Sequence, residues 1–195
     1  MKSIGRRLKN PALRRKMFAK VHNAIGPDLR MLASGGSHFH SAVAQDLSDL
    51  GYRVLEAYGL TETPAAATAT PIQDNHIGSV GKPIRGVSIR INEPNGKGVG
   101  EVLISGPIVM KGYYRAEDQT AQAIKDGWFH TGDLGFISSS GDLTITGRSK
   151  DVIVLANGEN VYPEELEEHY LKSPFIKEIC ILGVSEDGAD SRGGF

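Results

Sequence analysis

The sequence predicts an α/β (α+β) chain: a parallel strand–helix–strand segment up to about residue 60, followed by short antiparallel strands. Two observations carry this reading. Up to residue 60 apolar residues recur at helical spacing between short apolar runs, and after residue 78 they break into brief runs between Gly, Pro, Asn and Asp clusters. Glycine supplies 24 of the 195 residues, where average composition would give roughly 14, so many tight turns are expected.

Residues 12–25 read as a helix, because Leu13, Met17, Val21 and Ile25 recur every fourth position and Gly26-Pro27 ends the run. Residues 29–33 read as a strand running into Ser34-Gly35-Gly36. Phe39, Val43, Leu47 and Leu50 define a second amphipathic helix closed by Gly51, and residues 52–55 form the next strand. Residues 87–91, 101–105, 135–138, 143–146 and 152–155 read as strands in hairpins or a small barrel, interrupted by one helix over 117–125. A turn at Asn157-Gly158 follows. A further helix starts at Pro163, with Glu164 and Glu165 at its positive end, and a last strand lies in the apolar run 179–184.

The net charge of −1 hides an asymmetry: residues 1–30 hold nine Lys/Arg and one acid, Asp28. Such an arm reads first as the solvated face of a helix, which calls for no nucleic acid, with peripheral contact to an anionic membrane as the other option. A single cysteine, Cys180, excludes a disulfide framework and points to a reducing, cytoplasmic setting. The longest apolar run, residues 152–156, is far short of the ~20 residues that span a bilayer.

Candidate chemistry sits in four places. Two Gly-rich turns, Ser34-Gly35-Gly36-Ser37 and Tyr58-Gly59-Leu60-Thr61-Glu62-Thr63, follow strands at the carboxyl edge of the parallel segment, where open α/β sheets bind ligands. There Thr61 offers a hydroxyl to a phosphate and Glu62 a hard carboxylate to Mg²⁺, although such a turn alone is usually a plain turn. Asp133 and Arg148 are almost equidistant from the turn at Ser140-Gly141, so a regular hairpin brings them to its open end. A carboxylate beside a guanidinium suits a ribose diol, or is simply a surface ion pair. The stretch Gly147-Arg148-Ser149-Lys150-Asp151 reads as a polar turn or a hinge. No Gly-x-x-x-x-Gly-Lys-Ser/Thr loop, Cys pair or Gly-x-Ser-x-Gly elbow occurs, and His38-x-His40 lacks a third ligand nearby in sequence.

Tyr58-Gly-Leu-Thr-Glu-Thr63, Gly100-Glu-Val-Leu-Ile-Ser-Gly106, Gly112-Tyr-Tyr114, Trp128-Phe-His-Thr-Gly-Asp-Leu134 and Gly147-Arg-Ser-Lys-Asp151 occur in that order. Together they resemble the adenylate-forming (AMP-binding) superfamily of acyl-CoA synthetases, luciferases and peptide-synthetase adenylation domains. Asn157-Gly-Glu-Asn-Val-Tyr-Pro163 and the basic helix look most like long-chain fatty acyl-CoA synthetases. The resemblance implies ATP-dependent activation of a carboxylic acid through an acyl-adenylate and transfer of the acyl group to CoA, with Mg²⁺. It implies that Gly36, Ser37 and His38 line the adenine and acyl site and that Tyr58, with Gly59, meets adenine. Thr61 would bind phosphate, Glu62 would hold Mg²⁺, and Asp133 would grip the ribose with Arg148 assisting. Lys150 would be the hinge and Gly158 would approach the CoA pantetheine. Residues 1–149 then correspond to the C-terminal portion of the large domain (parallel α/β segment, then a small β-barrel), and 150–195 to the hinge and the start of an α+β lid.

The sequence departs from the family at Ser37-His38-Phe39, where Ala-Pro-Leu or Ala-Ala-Leu is commoner. It also lacks the Ser/Thr/Gly-rich phosphate loop and the late lysine that drives adenylation. The chain therefore reads as an internal fragment, with a non-catalytic nucleotide-binding module, or an adenylation domain for an amino or aryl acid, as alternatives.

Overall fold

The computed structural model describes residues 10–155 and 160–184. The chain divides into two compact units, one comprising Met1–Gly86 with Ser139–Leu143 and the other Val87–Ser138 with Thr144–Phe195.

In the first unit, Asn10 caps α1 (Pro11–Met17) by accepting the Ala12 N–H at 2.9 Å, and Pro11 occupies the first helical position. The expected single helix is broken at Phe18, and α2 (Ala19–Ile25) follows. Of the expected apolar face, Leu13, Met17 and Ile25 are half or more exposed and Val21 is half-buried, and the buried residue is His22. The inward face is polar because it meets backbone carbonyls. His22 Nε2–H donates to the Leu50 carbonyl at 2.9 Å while its ring packs tilted against Tyr52, with centroids 4.4 Å apart. Arg14 donates to the Ser48 carbonyl at 2.8 Å, and Arg15 to the Leu29 and Pro27 carbonyls at 2.7 and 2.8 Å. Two charges of the basic arm thus clamp the fold instead of forming a solvated face. Their target includes the last turn of α3 (Ser41–Asp49), whose carbonyls favour cations.

Strand β1 (Met31–Gly35) pairs in parallel with β2 (Arg53–Tyr58), from Met31↔Arg53 to Gly35↔Ala57, with α3 as the connection between them. This is the strand–helix–strand unit that the sequence predicts. β2 then pairs antiparallel with β3 (Thr68–Ala69), and β3 with β4 (Lys82–Pro83). Gly51 closes α3 at φ +97°, and a Cβ there would lie 3.0 Å from the Arg15 side chain, so this position serves both the cap and the close seating of α1.

The second unit is built on an antiparallel sheet of β5 (Ser88–Asn92), β6 (Gly100–Ser105), β8 (Trp128–Ile137) and β7 (Ile124–Lys125), with β9 (Leu143–Arg148) also pairing with β8. Val102, Leu103 and Ile104 of β6 are fully buried, and Phe129 of β8 nearly so. The helix expected over 117–125 ends earlier, as α4 (Glu117–Ala123). Ile124 and Lys125 instead pair with Phe129 and Trp128 across Asp126-Gly127, both at positive φ. Asp-Gly between two paired residues is a type I′ hairpin turn, and that local signal outweighs helix propensity here.

Beyond β9, a 3₁₀ turn (Ser149–Asp151) leads to β10 (Ile153–Val154), which pairs with β11 (Asn160–Val161), and then to α5 (Pro163–Tyr170). The turn expected at Asn157-Gly158 lies outside the described residues. The strand expected over 179–184 does not form at residues 177–183. There the Ile181 N–H donates to Glu167 of α5 at 2.7 Å, a side-chain acceptor in place of a ladder bond.

Candidate functional site

In the first unit, the parallel pairing of β1 and β2 sends the chain out of the same sheet edge twice. Residues 36–38 leave β1 beside Ala57, and residues 59–63 leave β2 one position further on. Gly36 adopts φ +83°, and beyond its two chain neighbours nothing lies within 4 Å of where its Cβ would stand, so its surface is open. Ser37 and His38 are exposed. The His38 ring meets His40 edge-on at 5.4 Å, and no group of three His, Cys, Asp or Glu side chains that could hold a metal occurs among the described residues.

The loop after Tyr58 is a hairpin connection: Tyr58 pairs with Thr68, and the Ala67 N–H donates to the Tyr58 carbonyl at 2.7 Å. Gly59 is required by this closure, because a Cβ there would fall 2.5 Å from the Ala65 carbonyl oxygen. Thr63 is fully buried and staples the turn. Its hydroxyl accepts the Leu60 N–H at 2.9 Å and donates to the Leu60 carbonyl at 3.2 Å, while its own N–H donates to that carbonyl at 3.0 Å. Thr61 is left exposed and Glu62 half-buried between the stapled residues. Sequence reasoning named Thr61 and Glu62 and missed Thr63, which holds them.

Two residues before Tyr58, and on the same face of β2, lies Glu56, only 7% exposed. Its backbone is tied to Thr70 through the Glu56 N–H to Thr70 Oγ1 bond at 2.8 Å and the return Thr70 N–H to Glu56 carbonyl bond at 2.8 Å. Burial pushes the Glu56 carboxyl above its ordinary range, and a bond from the Gly78 backbone only partly opposes this.

In the second unit, Arg148 Nε donates to Asp133 Oδ1 at 3.1 Å, which is the juxtaposition expected at the open end of the β8–β9 hairpin. The partners differ in environment: Asp133 is buried, whereas the Arg148 side chain is 63% exposed. Asp133 also lies in an irregularity of the sheet. Between the pairs Glu101↔Leu134 and Leu103↔His130, β6 has one residue and β8 has three. This bulge turns residues 131–133 out of the regular ladder, with Gly132 at φ +70°. Lys150 is exposed within the 3₁₀ turn, and Gly158 lies outside the described residues. Each unit therefore presents its own cluster: Gly36, Ser37, His38, Tyr58, Gly59, Thr61 and Glu62 at one sheet edge, and Asp133 with Arg148 at a hairpin end.

Residues 3–114 match the family model described as AMP-binding enzyme. The chain belongs to the AMP-binding enzyme family. Among relatives of this AMP-binding chain, a long-chain-fatty-acid–CoA ligase of Mycobacterium bovis is 38% identical over 177 residues, covering 91% of this chain and 29% of the relative. A 2-succinylbenzoate–CoA ligase of Bacillus cytotoxicus is 35% identical over 179 residues, covering 88% and 37%. Among solved structures, the O-succinylbenzoate coenzyme A synthetase of Bacillus subtilis, in complex with ATP and magnesium ion, superposes with a TM-score of 0.72 at 28% identity, covering 90% of this chain and 38% of that one. The chain thus spans less than half the length of each of these proteins.

Proposed function

We propose that this AMP-binding chain is a segment of an ATP-dependent acid–thiol ligase, and that it handles the nucleotide. The ligase joins a carboxylate to the α-phosphate of ATP, releasing pyrophosphate, and CoA thiolate then displaces AMP from the acyl-adenylate. A fatty acid is the acid we favour, on the 38% identity to a long-chain-fatty-acid–CoA ligase. An aryl acid is the second reading, supported by the 2-succinylbenzoate–CoA ligase at 35%.

In this reading Tyr58 stacks on adenine, and the open backbone at Gly36, with Ser37 and His38, borders the adenine and acyl groups. Thr61 donates its hydroxyl to a phosphate oxygen. Glu62 fits Mg²⁺ as one hard carboxylate acting together with substrate phosphates, an arrangement that requires no three-residue cage. An ion held by Glu62 would supply positive charge to the phosphates. Asp133 accepts hydrogen bonds from the ribose hydroxyls, and Arg148 holds the carboxylate in place. Residues 150–195 act as hinge and lid, with Lys150 as the pivot and Gly158 close to the CoA pantetheine.

The observation that carries this reading is a buried aspartate, aimed by a bulge and ion-paired at a hairpin end, in a chain that matches the AMP-binding model. In a full-length ligase containing this segment, Asp133→Ala should raise the KM for ATP while leaving the KM for the acid near wild type. Loss of a carboxylate–hydroxyl pair is worth about 1.5–3 kcal/mol, roughly ten- to hundredfold in KM. ATP–pyrophosphate exchange measures it, and an unchanged KM for ATP would reduce the Asp133–Arg148 pair to an ordinary ion pair.

A further inference from the structure

We infer that Glu101 is a positioning residue for Asp133, an inference that rests on the reading of Asp133 as the ribose ligand. The bulge in β8 has a cost that something must offset: its residues leave the ladder, and their amides need new acceptors. Glu101, on the facing strand, supplies one. Its Oε1 accepts the Gly132 N–H at 3.1 Å, and its Oε2 accepts the His130 Nδ1–H at 2.9 Å. One carboxylate therefore holds both the entry to the bulge and the residue immediately before Asp133. Thr131 completes the bulge: its hydroxyl donates to the Val102 carbonyl at 2.7 Å and accepts the Asp133 N–H at 3.0 Å. Two side chains, Glu101 and Thr131, thus constrain the backbone on the approach to Asp133.

Glu101 has its own pair at Leu134, so it is anchored in the regular ladder while it reaches over the irregular part. Both Glu101 and His130 are about three-quarters buried, so the contact is shielded more than a surface ion pair. Without the acceptor at Gly132, the left-handed turn at that residue loses one of its tethers and Asp133 shifts relative to the ribose. Glu101 touches neither nucleotide nor acid in this scheme; it acts through the backbone.

The test is the preference of the full-length ligase for ATP over 2′,3′-dideoxyATP, read as the ratio of kcat/KM values in pyrophosphate exchange. One charge-assisted hydrogen bond to the ribose sets that preference at about tenfold or more in the wild type. Glu101→Ala should lower kcat/KM for ATP and collapse the ratio, as Asp133→Ala does, and the double variant should add no further loss of ratio. Glu101→Gln should keep the ratio, because its amide oxygen still accepts the Gly132 N–H. Glu101→Asp should lose it, because the shorter side chain withdraws from that N–H. If Glu101→Ala fails to fold, the contrast between Gln and Asp decides, and equal ratios in those two variants overturn the inference. A general loss of stability depresses both nucleotides alike and leaves the ratio intact, and that result in Glu101→Ala also overturns it. A ratio unchanged in Asp133→Ala removes the ribose reading itself.

Discussion

Replacing Thr63 with valine isolates one hydroxyl without changing the volume of a fully buried side chain. That hydroxyl makes two bonds, from the Leu60 N–H at 2.9 Å and to the Leu60 carbonyl at 3.2 Å. The carbonyl keeps a second donor in Thr63→Val, since the Thr63 backbone N–H reaches it at 3.0 Å. The uncompensated group is therefore a single amide, that of Leu60. Leaving a buried amide without an acceptor costs about 1–3 kcal/mol. Leu60 is only half-buried, so water reaches it in part and about 1–1.5 kcal/mol is expected. Urea unfolding of the chain measures the loss, and amide hydrogen exchange localises it: Leu60 protection should fall about tenfold for each 1.4 kcal/mol. Thr61 and Glu62 lie within the loosened turn, so the KM for ATP–Mg²⁺ in a full-length ligase should rise while that for the acid stays constant. Thr63→Ser keeps the hydroxyl and should keep Leu60 protected, despite the lost methyl. Unchanged Leu60 protection in Thr63→Val, or equal deprotection in Thr63→Ser, would refute the idea that this hydroxyl holds the loop.

Glu56→Gln tests the buried carboxyl. Its folded pKa lies above the ordinary 4.5, so its contribution to stability is complete below that pH and is lost as pH rises through the raised value. The glutamine side chain stays neutral throughout, so the variant should be the more stable protein at pH 7–8, with the gap closing towards pH 4; urea midpoints across that range measure it, and a pH-independent gap contradicts the assignment. Lys150→Pro bears on the hinge. Proline holds φ near −65°, within the range of the 3₁₀ turn that contains Lys150, and so fixes that backbone in one state. Adenylate formation should persist and transfer to CoA should fall sharply; single-turnover assays of the two half-reactions read this, and proportional losses in both would dismiss the hinge.

The elements legible in the sequence were those set by neighbours along the chain. The β1–α3–β2 unit follows from hydrophobic spacing and glycine punctuation. The Asp133–Arg148 pair follows from counting outward from the turn at Ser140-Gly141, because a hairpin closes through local pairing. The Asp126-Gly127 turn was equally local, yet the helical pattern before it masked it. The ordered motifs around Tyr58, Asp133 and Lys150 carried the family.

Tertiary structure alone decided the rest. The helical spacing of Leu13, Met17 and Ile25 could not reveal that the surface receiving α1 and α2 is lined with carbonyls, which draw in Arg14, Arg15 and His22 instead. No pattern in residues 179–183 could reveal that the Ile181 N–H is taken by Glu167 of α5. The supports of the candidate site were hidden for the same reason. Thr63 looks like one more polar loop residue until the turn folds back on Leu60. Glu101 stands 31 residues before Gly132 and 32 before Asp133, and reaches that segment only because β6 and β8 pair with a bulge between them. Chain-local chemistry names the candidate residues, whereas the register between distant strands determines which side chains tie down the backbone around them.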